Sequence, residues 1–184
     1  MALEPYEFMV KMEKRMFFSD QDKSVLQSSI DWGKESAPVM ATVFYDYLGR
    51  DPEMNAILNA SEGRIDRLRK TFIQWFYDMF TGIDEWGECY AESRWRIGLI
   101  HVRIGIGPQH VVLAMATVIR AVESKLEAEG KTKDLNSALS KICMIDLAFI
   151  EQAYVEIYSE AFRQEAGWTE SFFRRLIAQR TENL

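Results

Sequence analysis

The stretch Arg96–Ile97–Gly98–Leu99–Ile100–His101–Val102–Arg103–Ile104–Gly105–Ile106–Gly107–Pro108 decides how the rest of the chain is read. It reads as the end of an apolar helix, a glycine-rich turn, and a proline opening the next helix. Gly105 and Gly107 suit the break, and Pro108 suits a first helical turn. Ile97 and Ile104 stand four and three residues from His101, on its own helical face, and Ile100 is its chain neighbour. A lone imidazole therefore faces apolar surroundings at the end of a helix.

Two readings of His101 are open at this level. One is a core histidine whose ring nitrogens are satisfied by backbone. The other is a ligand to a metal held by something other than protein. A structural zinc takes about four protein ligands, and this chain has two histidines and two distant cysteines, Cys89 and Cys143. A haem brings four nitrogens of its own and asks for one axial imidazole. The setting is compatible with haem and poor for zinc, and spacing alone does not choose.

Outward from this stretch the periodicity is helical throughout. Residues 4–14 predict a short helix lying on the body. Ser19 and Asp22 have the spacing of a capping box for a brief helix carrying Val25, Leu26 and Ile30. Residues 32–49 repeat Trp32, Val39, Val43, Phe44, Tyr47 and Leu48 at helical intervals, with Pro38 either kinking one helix or opening a second. Met54, Ile57 and Leu58 form a small apolar turn. Asn59–Ala60–Ser61–Glu62 has capping-box spacing ahead of a helix over 61–80, with Ile65, Leu68, Phe72, Trp75, Phe76, Met79 and Phe80 as its stripe. A helix over 84–104 is expected to be interrupted or loosened at Gly87 and Gly98. Two more come after it, over 108–128 and from Leu135 to about Phe162, the latter apolar on more than one side: a central core helix, or one that also meets a partner subunit. Thr169 is placed to cap a last helix. Residues 168–184 read either as a connector or as a docked helix. No strand alternation, internal repeat or low-complexity segment is present, so the expected class is all-α, with seven or eight helices.

The 184 residues fit one domain, 1–184, with a sizeable core. A net charge of −6 without any basic block argues against nucleic acid. Two separated cysteines read as free thiols. The N-terminus has no secretory pattern, and no apolar run reaches membrane-spanning length, so no membrane is expected and the setting reads as cytoplasmic. Gly98, Gly105 and Gly107 follow no strand, which excludes a dinucleotide fingerprint. Glu88 and Glu92 read as a solvated face, and no nucleophile motif frames any serine.

Three segments carry a family resemblance. Ile97–Gly98–Leu99–Ile100–His101–Val102–Arg103–Ile104–Gly105–Ile106 resembles the proximal-histidine segment of the sensor globins, the haem domains of globin-coupled sensors related to protoglobins. Val43–Phe44–Tyr45–Asp46–Tyr47–Leu48 resembles that family's second helix. Asp66–Arg67–Leu68–Arg69–Lys70–Thr71, followed by Phe76–Tyr77–Asp78–Met79–Phe80, resembles its distal helix. Order and spacing agree over roughly residues 15–165.

The resemblance implies a globin-like helical fold with an extra N-terminal helix and no long irregular segments, holding haem b (iron protoporphyrin IX). His101 would be the proximal iron ligand and Tyr45 the distal phenol donating to dioxygen. Phe44 would stand beside it, Leu68 would govern steric access, and Thr71 would donate to the gas or to Tyr45. Ile104 and Val111 would touch the cofactor. In the absence of the resemblance, Tyr45 reads as a buried tyrosine bonded to backbone, and Thr71 as bonded to a carbonyl one turn back. Where family members carry a tryptophan–tyrosine-like pair after the proline, this chain has His110 and Val111. His110 lies too close in sequence to His101 to reach the opposite face of a haem.

The same resemblance implies an oxygen or gas sensor forming a homodimer through the helices near 108–128 and 135–162. The chain itself would not be the enzyme. It would regulate an output such as a cyclase, kinase or chemotaxis transducer, none of which lies in this sequence. The alternatives are a single-domain haem protein with nitric-oxide dioxygenase or peroxidase-like activity, and a haem-free interaction module in which His101 is core.

Overall fold

The computed structural model describes residues 3–181. Within them the backbone forms α1 (Pro5–Met16), α2 (Asp20–Ser28), α3 (Ile30–Leu48), α4 (Pro52–Leu58), α5 (Arg64–Thr81), α6 (Glu88–Arg103), α7 (Pro108–Ala128), α8 (Lys133–Ala166) and α9 (Glu170–Thr181). The described residues contain no strand, so the class is all-α as expected.

Local chemistry explains most of the boundaries. Ser19 and Asp22 complete a reciprocal capping box at α2, with the Asp22 carboxylate accepting from the Ser19 backbone N–H at 2.7 Å. Asp51 caps α4 through the Met54 N–H, and Thr132 caps α8 through the Leu135 N–H. Pro5, Pro52 and Pro108 occupy first-turn positions, where the missing N–H costs nothing. Gly130 and Gly167 take positive φ just past the ends of α7 and α8.

Three expectations are corrected. Pro38 does not open a second helix: α3 runs through it as one helix, with the proline on the exposed side. The unpaired carbonyl one turn earlier belongs to Lys34, which is also exposed, so water can satisfy it. The Asn59–Glu62 capping box does not form. α5 starts instead after Gly63, whose φ of +66° turns the chain, and Asn59 bonds back to Asn55. Gly98 does not loosen α6. A Cβ there would lie 2.9 Å from both the Ala153 Cβ and the Phe149 carbonyl oxygen, so this glycine lets α6 lie directly against α8. Gly87, by contrast, does mark a boundary, as the N-cap of α6.

α8 is the central helix. It packs against α1, α2, α6 and α7, while α3 packs against α5 and α7. Its buried face runs through Leu139, Ile142, Ile145, Phe149 and Tyr154, as the periodicity predicts. α1 lies on the body as expected: Phe8 meets Phe149 edge-on at 5.0 Å, and Glu13 accepts from the Trp86 indole at 2.8 Å. α9 has no buried residue; Trp168, Phe172 and Phe173 gather around Phe162 near the end of α8. Among the described residues no helix is long and apolar enough to cross a membrane.

Because α6 carries His101 three residues after Gly98, the close approach to α8 sets the height of the imidazole. Gly98→Val should cost about 1–3 kcal/mol through overpacking, read as a lowered urea midpoint. A variant as stable as the parent would show that the two helices separate freely at this point.

Candidate functional site

α3, α4, α5, α6 and α7 enclose a cleft, with Ile150 of α8 at its floor. It holds about 1120 Å³ of atom-free space, its open mouth included. The walls are overwhelmingly apolar: Leu48, Met54, Leu58, Phe72, Ile97, Ile100, Ile106, Ala114, Met115 and Val118 all contribute. All seven residues singled out in the sequence, Phe44, Tyr45, Leu68, Thr71, His101, Ile104 and Val111, line this one space. They come from four helices and the turn after α6, and the fold alone brings them together.

His101 is the polar anchor of one wall. Its Nδ1 lies 2.9 Å from the Ile97 carbonyl oxygen. A carbonyl only accepts, so Nδ1 carries the proton and donates. Nε2 is then left with a lone pair, the form of imidazole that ligates a metal. Burial holds the His101 pKa below its ordinary value of 6.5, with the Ile97 carbonyl working the other way. The folded chain therefore takes up this proton less readily than the unfolded chain. Stability of the ligand-free protein should fall as pH drops below about 6.5, where only the unfolded state protonates fully. Melting temperatures between pH 7.5 and 5.5 measure this, and His101→Leu should flatten the slope. An equal slope in both proteins would place the titration elsewhere.

Tyr45 stands on α3, buried, with Phe44 edge-on at 5.1 Å and Phe72 at 6.1 Å. The Arg69 guanidinium lies 5.4 Å from its ring centre. Burial pushes its phenol up to about 12, against the opposing charge of Arg69. The hydroxyl thus stays protonated at neutral pH, and it has no hydrogen-bond partner among the described residues. It is not bonded to backbone, the reading that the residue type alone favours. Thr71 differs: its hydroxyl donates to the Arg67 carbonyl at 3.1 Å. That proton is committed one turn back, so Thr71 donates into the cleft only if this bond breaks.

A second polar group adjoins the cleft and is not singled out by the sequence. Arg94 and Asp146 are each 2% exposed and meet at 3.0 Å from Nε to Oδ2. Tyr90 donates to Asp146 at 3.1 Å and the Trp75 indole at 2.9 Å. The Arg94 guanidinium stacks over the Tyr90 ring at 4.2 Å. Burial pushes the Asp146 carboxyl upward, and the Arg94 charge and the two donors work against it. Arg94 keeps its proton. Trp75 also lines the cleft, so one indole touches both places. A signal for this group does exist in the chain: Arg94 and Asp146 interrupt the apolar stripes of α6 and α8.

The donor set suits a haem on the chemistry of its parts. One imidazole with a free Nε2 faces an apolar slot, and no three His, Cys, Asp or Glu side chains gather as a metal cage among the described residues. A metal at His101 would take its remaining ligands from a macrocycle. The cleft is also open beside the ring rather than packed with side chains.

The family model described as Protoglobin matches residues 9–160. Among solved structures, the globin domain of the Geobacter sulfurreducens globin-coupled sensor superposes with a TM-score of 0.72 at 26% identity, over 79% of this chain and 97% of that one. The architecture is thus globin-like, with helices added to it.

Proposed function

Because the chain belongs to the protoglobin family, we propose that it binds haem b through His101 and senses dioxygen or another diatomic gas. The observation that carries this reading is the pairing of two groups in one apolar cleft. One is an imidazole whose Nδ1 is tied to Ile97, leaving Nε2 free; the other is a protonated phenol, Tyr45, with no partner of its own among the described residues. When bound, the haem supplies iron with an open position for a gas. The rest is work for this chain's residues. His101 holds the cofactor and keeps its orientation through Ile97. Tyr45 offers a hydrogen bond to a ligand that carries partial negative charge, which favours dioxygen over carbon monoxide. Leu68, Phe44 and Phe72 restrict space and water around that donor, while Ile104 and Val111 pack on the cofactor.

The resemblance to sensor domains extends the proposal to a homodimer. α7 exposes Val112 and Leu113, and α8 exposes Val155, Ile157, Tyr158 and Phe162, with Leu113 58% and Phe162 57% accessible. Burial of these faces against a second copy would couple gas binding to an output domain outside this chain.

Absorption spectra of the purified, haem-supplied protein, reduced with and without oxygen, test the reading. A Soret band that shifts on oxygenation is expected, and its absence sinks the proposal. Tyr45→Phe should cost roughly 1–3 kcal/mol of oxygen stabilisation, seen as oxygen dissociation about five-fold to 150-fold faster. Unchanged dissociation would remove Tyr45 from the ligand's surroundings.

A further inference from the structure

We propose that Arg64 and His110 form a carboxylate-binding rim on the cleft, which seats the two acidic side chains of the porphyrin. This rests on the haem reading above. Apart from His101, they are the only two cleft-lining residues with a basic side chain among the described residues. Each is half-buried rather than sealed in, so each stands where the cleft meets solvent.

Neither side chain makes a hydrogen bond among the described residues. The Arg64 guanidinium makes no hydrogen bond and no ion pair among the described residues. It is also the first residue of α5, where the helix dipole already disfavours a cation. A half-buried arginine beside an apolar space, at a helix start and without a counter-charge, is destabilising unless an anion joins it. The His110 Nε2 is fully shielded from solvent yet makes no hydrogen bond, and its nearest acid, Glu53 of α4, stands 3.4 Å away. Glu53 is itself 69% exposed and free to swing into water.

The chemistry that answers both residues is a ligand with an apolar body and acidic substituents along one edge. Iron protoporphyrin IX has that form, with two propionates. Arg64 would take one carboxylate and His110 the other, with Glu53 displaced from His110. In this arrangement the histidine that replaces an aromatic residue after Pro108 is an anchor for the cofactor's edge and not a second iron ligand.

The test compares natural haem b with its dimethyl ester, which has the same iron and ring but no negative charge on its side chains. The rate of haem transfer to excess apomyoglobin is measured for the full chain and for Arg64→Leu and His110→Leu. Loss of haem b should quicken about ten-fold in each variant, while loss of the ester stays as in the parent. Equal changes for both cofactors, or no change for either, would overturn the assignment while leaving His101 as the haem ligand. A parent chain that holds neither cofactor would overturn the haem reading itself, and this assignment with it.

Discussion

His101→Ala is expected to abolish stable haem retention. The reconstituted variant should show no five-coordinate ferrous spectrum and should release its iron porphyrin within a short gel filtration. The size of the effect follows from the site's poverty in donors. Among the described residues the cleft has no other imidazole beyond His110, which the fold places beside Glu53 and within ten residues of His101. Apolar walls alone would hold a porphyrin loosely and without orientation. Imidazole added to the variant's cavity should restore the spectrum in part, since the lost group is then supplied from solution. Retention and spectra unchanged from the parent would show that the iron is held by another residue.

Asp146→Ala should be strongly destabilising, at about 3–5 kcal/mol, because it leaves Arg94 charged and buried with only the longer 4.0 Å contact to Asp78. Two further donors, the Tyr90 hydroxyl and the Trp75 indole, lose their acceptor at the same time. Urea unfolding of the ligand-free protein measures this. The double variant Arg94→Met with Asp146→Leu should recover much of the loss, since an apolar pair of similar volume escapes the desolvation cost. A single variant that loses less than about 1 kcal/mol would mean that water reaches the guanidinium, contrary to its burial.

The parts of this protein legible in the sequence are those set by local rules. The Ser19–Asp22 cap, Pro108 at the start of α7 and the stripes of α5 and α8 are determined within one or two turns, and they are found where the residues put them. His101 is visible because Ile97 and Ile104 flank it at helical spacing. What local rules cannot see is what a side chain meets across the core. Gly98 looks like a weakness within α6, and only the neighbouring Phe149 carbonyl and Ala153 Cβ give it a purpose. Asn59–Glu62 has the letters of a cap, yet the left-handed turn at Gly63 moves the helix start beyond it. Arg94 and Asp146 lie 52 residues apart, and neither announces the other. His110 stands out as a departure from family pattern, but its place on the cleft wall depends on how α7 packs against α3 and α8.

α8 is 34 residues long without interruption, about 51 Å of rod. Its contact with Gly98 falls at residues 149–153, leaving roughly 20 Å of helix beyond that fulcrum. A tilt of about 5° there would swing the tip carrying Phe162 and the start of α9 by about 2 Å, whereas the atoms beside the imidazole would barely stir. Strain too small to notice beside His101 would thus emerge, amplified by simple leverage, at the C-terminal tip of α8.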